Sequence, residues 1–265
     1  MLVITSPQNP RVKKLLELQE KSRSRRNDNM FVIEGPREIG LAIAGGYRIE
    51  SLYFCPQLIT TREARQTIDE AGNAEQIELS LAVFEKIAYR KTTGGLIAVA
   101  LMKPHRLQDL RLSNNPLVLV CEGVEKPGNL GALLRTADAA RLDALIVCDP
   151  KADFYNPNVI RSSVGCVFTQ PVAMATSAEA IEWLRQKRIK LYVTALTASV
   201  RYDSVDLSKP AALVMGTEAT GITEEWLHAS DQNIIIPMRG VIDSMNVSAA
   251  AAVVVFEAAR QRDFS

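Results

Sequence analysis

IIIPMRGVIDSMNVSAAAA, residues Ile234–Ala252, decides how this chain is read. A short apolar run stops at Pro237, a polar loop holding Gly240 and Ser244 follows, and Asn246 stands directly before an alanine-rich segment. That order predicts a buried strand, a tight loop, and a helix whose first backbone N–H groups are capped by Asn246 or Ser244. Ser244, Asn246 and several backbone amides then lie at the C-terminal edge of a strand, where α/β proteins bind ligands.

Two upstream stretches repeat the arrangement. Glu122–Ala140 (EGVEKPGNLGALLRTADAA) follows the apolar run Leu117–Cys121. Gly128 and Gly131 would let the backbone turn tightly and approach a neighbour. The pattern turns helical from Leu130, and Arg135 lies six residues after Asn129. Ala211–Gly221 (AALVMGTEATG) reads as a strand followed by Gly216, Glu218 and Gly221. Three strand-to-loop junctions thus carry Asn129 with Arg135, Gly216 with Glu218, and Ser244 with Asn246, and their shared topology predicts one composite cleft.

In order and content these stretches resemble the three motifs of the SpoU/TrmH branch of the SPOUT RNA methyltransferases. Asn129, Gly131 and Arg135 match its Asn-x-Gly-x-x-x-Arg element, and Gly216, Glu218 and Gly221 its Gly-x-Glu-x-x-Gly element. Ile236, Pro237, Met238, Ser244, Asn246, Val247 and Ser248 match Ile-Pro-Met…Ser-x-Asn-Val-Ser. Met245 stands where leucine is commoner, a change of similar volume. The resemblance runs from Leu117 to the C-terminus. It implies S-adenosylmethionine-dependent methylation of a ribose 2′-hydroxyl in structured RNA, and the additional N-terminal domain favours ribosomal RNA over tRNA.

The same resemblance implies the site. Arg135, Asn129, Glu218, Ser244 and Asn246 become the catalytic group, while Thr194, Ala195, Leu196, Gly216, Ile236, Met238 and Met245 cradle the cofactor. Helix capping is the competing role for Glu218, before Thr223-Glu224, and for Ser244 and Asn246. An arginine essentially never deprotonates, so Arg135 is read as a clamp on a phosphate or on the 2′-oxygen. The resemblance also implies a homodimer built on the last helix, and a C-terminal parallel sheet drawn through a deep trefoil knot. Periodicity alone would suggest an open Rossmann-like sheet.

Composition sets outer bounds. A chain of 265 residues suits one large domain or two ordinary ones, and a net charge of +1 points to no partner. Charge distribution is more specific. Arg11, Lys13, Lys14, Lys21, Arg23, Arg25 and Arg26 face only Glu17 and Glu20 in their stretch. The segment reads either as a solvated helix face with a mobile arm or as an RNA-phosphate surface using Arg11, Lys13, Lys14, Arg23, Arg25 and Arg26. Cys55, Cys121, Cys148 and Cys166 are dispersed and form no Cys-x-x-Cys pair, which reads as core thiols in a reducing compartment. His105 and His228 stand alone, so no metal site is expected. The N-terminus turns polar after four apolar residues and no run nears the ~20 of a membrane span, so a cytoplasmic location is expected.

Alternation of apolar and helical patterns divides the chain into an N-terminal RNA-binding domain (1–103), a polar linker between prolines (104–116) that would let the domains move, and a catalytic domain (117–265). In the first, strands are expected at 30–34, 49–54, 76–79 and 96–102, and helices at 11–20, 37–44, 61–71 and 81–89. This small α/β unit resembles the ribosomal-protein-like domain preceding the catalytic domain in many family members, with FVIEG at Phe31–Gly35 a shared element. In the second, strands are expected at 117–121, 144–148, 190–195, 211–215 and 233–236, and helices at 130–141, 178–187, 224–228 and 247–262. Strands this continuously apolar fit a parallel sheet covered on both faces.

Rival chemistries fit less well. A dinucleotide loop needs G-x-G-x-x-G, and Gly123, Gly128 and Gly131 have the wrong spacing. Neither histidine sits by a Gly-x-Ser-x-Gly elbow. A non-catalytic RNA-binding protein that kept the fold stays open as the alternative, as does a tRNA substrate.

Overall fold

The computed structural model describes residues 2–89, 94–197, 199–217 and 221–264. The chain forms two compact units, Met1–Pro104 with Tyr155–Thr169, and His105–Phe154 with Gln170–Ser265.

In the first unit the strands are β1 (Leu2–Ile4), β2 (Met30–Glu34), β3 (Ile49–Phe54), β4 (Glu75–Leu79) and β5 (Leu96–Leu101). Their order is β1-β4-β3-β5-β2, with β5 antiparallel to β2 and β3 and the other pairs parallel. The helix Pro10–Glu20 starts where expected, because Asn9 accepts from the Arg11 amide and Pro10 needs no donor. Its Val12, Leu15 and Leu18 enter a core with Ile77, Phe84 and Ile97.

Residues Tyr155–Thr169 pack with this unit, whereas the sequence reading leaves them in the second domain. Aromatic contact is the reason. The Tyr155 ring stacks on Phe31 with centroids 4.2 Å apart, and Phe168 meets Tyr47 edge-on at 5.2 Å.

Among the described residues the second unit has seven parallel strands: β6 (Leu117–Glu122), β7 (Ala144–Cys148), β8 (Val172–Ala175), β9 (Lys190–Thr194), β10 (Val200–Arg201), β11 (Ala211–Met215) and β12 (Gln232–Ile235). The order is β10-β12-β9-β11-β6-β7-β8. Every residue of β6, β7 and β11 is buried, as continuous apolar runs in a covered parallel sheet should be. Met215 pairs with Cys121, Val214 with Val193, and Ile234 with Thr194, so β6, β11, β9 and β12 end side by side. The linker is not a free tether: Leu107 is buried in the second unit's core, and Leu110 and Leu112 pack against it.

Candidate functional site

The three junctions read from sequence come together at this common edge. After β6, Gly123 takes a left-handed conformation (φ +60°), and a Cβ there would lie 2.8 Å from Thr217 Cγ2. The following helix begins at Pro127, three residues before the expected start. Asn129 therefore lies in its first turn rather than in a loop. Gly128 is also helical, with nothing within 4 Å of a built Cβ, so it is not the tight-turn residue it was read as.

After β11, Thr217 and Gly221 pinch the second loop. The Thr217 amide donates to Gly221 O at 2.8 Å, and the Gly221 amide returns to Thr217 O at 3.1 Å. Gly216 lies against that return, so a Cβ there would meet Gly221 C at 2.4 Å. Glu218 lies outside the described residues.

After β12 the third loop leads to Asn246, which caps the helix Val247–Gln261. Its Oδ1 accepts from the Ser248 amide at 3.1 Å and from Ser248 Oγ at 2.6 Å. Its Nδ2 donates to Asn129 Oδ1 at 3.1 Å, joining the first motif to the third. Ser244 is not the cap. It is exposed on the cleft side, with its hydroxyl 3.3 Å from Asp243 Oδ1.

Three adjoining cavities line this edge. One of about 280 Å³ is bounded by Thr194, Ala195, Leu196, Met215, Ile222, Ile234, Ile236, Met238, Ser244 and Met245, among others. A second, about 410 Å³, shares Thr194, Met215, Gly221, Ser244 and Met245 and adds Gly216, Thr217 and Asn246. The third, about 270 Å³, holds Asn129, Gly123, Lys126, Gly216 and Thr217. All seven residues expected to cradle a cofactor thus line one of these spaces. Thr194 Oγ1 donates to Val214 O at 2.9 Å and fixes the end of β9 to β11. Methionine and isoleucine side chains beside chain leaving the sheet suit a flat, partly apolar ligand such as an adenosine.

Arg135 stands apart. It is exposed on the helix Pro127–Ala139 and is not among the residues lining the three cavities. That helix packs against Val247–Gln261.

The basic segment also divides. Lys13, Arg23 and Arg26 are exposed, Arg11 pairs with Glu75, and Lys14 pairs with Asp28. Arg25 leaves the RNA-contact set. It is 1% exposed, and its Nη1 donates to Leu18 O at 2.6 Å and Gln19 O at 2.9 Å, satisfying carbonyls at the end of the first helix. Burial pushes the Cys121 and Cys148 thiols up, which makes them inert rather than nucleophilic. Among the described residues no cluster of three metal-ligating side chains occurs, and no helix is long and apolar enough to cross a membrane.

Sequence reasoning missed Glu122 and Thr217. A carboxylate closing an otherwise apolar strand was the available signal for the first. The second had no signal beyond lying between Gly216 and Glu218.

Fold and site define a parallel α/β protein with a composite ligand cleft at the C-terminal ends of its strands. The chain belongs to the SpoU rRNA Methylase family, whose pattern matches residues 116–256. An MRM3-like substrate binding domain matches residues 9–98. Along 97% of its length the chain is 31% identical to a 23S rRNA (guanosine(2553)-2′-O)-methyltransferase of Bacillus subtilis, covering 98% of that protein. It is 28% identical to a 23S rRNA (uridine(2479)-2′-O)-methyltransferase of Streptomyces viridochromogenes, covering 88% of this chain and 83% of that one. Among solved structures it is similar to an AdoMet-bound rRNA methyltransferase from Sinorhizobium meliloti, with TM-score 0.88, 29% identity and 97% of each chain covered. It is also similar to an RNA 2′-O ribose methyltransferase, with TM-score 0.83, 39% identity, and 98% of this chain and 99% of that one covered.

Proposed function

We propose that the chain methylates a ribose 2′-hydroxyl of ribosomal RNA, using S-adenosylmethionine, as a cytoplasmic homodimer. The observation that carries this reading is the hydrogen bond from Asn246 to Asn129 across a cleft whose apolar side fits an adenosine. When bound, S-adenosylmethionine supplies a methyl group on an already activated sulfonium. Ile236, Met238, Met245 and the chain at Thr194–Leu196 hold the adenosine, with Gly216 leaving room beside it. Asn129 and Asn246, locked to each other, orient the ribose, and Ser244 extends the polar side; Glu218 is proposed as a further hydrogen-bond acceptor in the reaction.

Arg135 clamps the neighbouring phosphate or the 2′-oxygen and stabilises charge as the hydroxyl proton leaves to phosphate or water. Its exposure suits a contact made by RNA. The N-terminal unit, with Lys13, Arg23 and Arg26 exposed on it, selects the RNA for the catalytic unit that carries the three motifs. The homodimer uses the last helix, where Ala249, Ala252, Val253 and Phe256 form an incompletely covered apolar stripe at helical spacing. The trefoil knot belongs to the same reading.

The test is incubation of purified protein with 23S RNA and S-adenosylmethionine, followed by mass spectrometry of the nucleosides. One new 2′-O-methylated nucleoside is expected. Arg135→Ala should bind cofactor as the wild type does and lose at least a hundredfold in rate. Full activity in that variant would overturn the role of Arg135, and no methylated nucleoside from the wild type would overturn the assignment.

A further inference from the structure

At the end of β6 lies a buried polar cluster outside the three motifs. Glu122 is 5% exposed, yet its carboxylate is fully engaged. Oε2 accepts from the Thr223 amide at 3.0 Å, and Oε1 accepts from Thr223 Oγ1 at 2.7 Å and lies 3.1 Å from Ser177 Oγ. Ser177 Oγ is also 2.7 Å from Asp149 Oδ2 and accepts from Trp226 Nε1 at 2.9 Å, with the Trp226 ring wholly buried. A buried carboxylate is retained only where such donors offset its lost hydration.

Position gives the cluster a consequence beyond stability. Thr223 directly follows Gly221 and Ile222, both of which line the apolar cavity. At the other end of that loop, Thr217 rests against Gly123, the residue after Glu122. Two consecutive residues of β6 and its exit therefore hold both ends of the second-motif loop, Gly123 by contact and Glu122 by hydrogen bonds.

We infer that Glu122 is a positioning residue for the cofactor, holding the Gly221–Thr223 chain where it closes the adenosine cavity. This rests on the methyltransferase reading. Glu122→Gln keeps the shape but turns an amide N–H₂ toward a donor, either Thr223 or Ser177. The freed chain end then samples positions that do not fit the ligand, so the loss falls on cofactor affinity. RNA, held elsewhere, is unaffected. Thr223→Val removes one of the bonds to Glu122 and Thr223→Ser keeps it.

The test is calorimetric titration of the full chain with S-adenosylmethionine, with RNA affinity by filter binding and thermal melting in parallel. E122Q should weaken cofactor binding about tenfold or more and leave RNA affinity within twofold. T223V should act in the same direction, T223S should restore binding, and the E122Q/T223V pair should be clearly less than additive. Should E122Q fail to fold, the Val and Ser variants at Thr223 decide. Unchanged cofactor affinity in the folded variants overturns the inference, as does a parallel loss of cofactor and RNA binding with a lowered melting point. A wild type that binds no S-adenosylmethionine overturns this inference and the methyltransferase reading together; wild-type binding with indifferent variants overturns this one alone.

Discussion

Replacing Gly216 by alanine tests whether the second loop shapes the cofactor cavity. A Cβ at Gly216 would lie 2.4 Å from Gly221 C and 2.5 Å from both Gly221 O and Ile222 N. Ordinary contact begins at 3.4 Å, so the returning chain must retreat by about 1 Å. The obstacle is backbone, which cannot swing aside as a side-chain tip can. A 1 Å retreat would stretch the two Thr217–Gly221 hydrogen bonds, now 2.8 and 3.1 Å, out of range. Losing two bonds at about 1 kcal/mol each, on top of an overpacking cost of about 1–3 kcal/mol, puts the local penalty near 3–5 kcal/mol. Gly221 and Ile222 line the cavity, so part of this appears as a ten- to hundredfold weaker S-adenosylmethionine Kd by calorimetry. Gly128→Ala is the control. It sits in a helix with open space around it and should hold or gain about 0.5–1 kcal/mol. A Gly216→Ala chain that binds cofactor within twofold of wild type refutes the argument.

Arg25→Ala should lower stability by about 2–4 kcal/mol in denaturant melts, because the Leu18 and Gln19 carbonyls lose their donor. Arg23→Ala and Arg26→Ala should leave the melt unchanged and reduce the salt slope of RNA binding by about one each; a reversed pattern contradicts the assignment of these arginines. With a thiol reagent, half-buried Cys166 should react first, and Cys55, Cys121 and Cys148 only after unfolding. Rapid modification of more than one thiol in the native chain would show the sheet ends to be open. Phe256, 41% exposed, should be covered in the proposed homodimer. Phe256→Asp forgoes burial of the remaining two-fifths of the side chain, about 0.6–1.2 kcal/mol per chain and twice over by symmetry, so the dimer Kd should weaken about tenfold or more in sedimentation runs. A wild type that sediments as a monomer at micromolar concentration would remove the premise.

What was legible was local. Strands Met30–Glu34, Ala144–Cys148 and Ala211–Met215 fall where expected because each is an apolar run closed by a charge, a turn or a glycine. Asn246 announces its helix because a cap needs only a short polar side chain before the first turn. The helix Pro157–Ser162, not among those expected from the sequence, begins at Asn156-Pro157, the same start signal as Asn9-Pro10. Its attachment to the first unit rests on Tyr155 meeting Phe31, a pairing of residues more than a hundred positions apart that no local pattern encodes. Arg25 was misread for the same reason: among neighbouring arginines, the buried one is chosen by where a helix ends in space. Arg135 shows the effect of a misplaced boundary. With Asn129 set in a loop, the two could share a site; with both in one helix, six residues separate them by about 9 Å along the axis and about 120° around it. Asn129 is turned to Asn246 and the cleft, so Arg135 looks onto different ground. If both act on one ribose, RNA or a second chain must lie across the helix to connect the two faces. The apolar stripe on the helix packed beside it makes the second chain the stronger expectation.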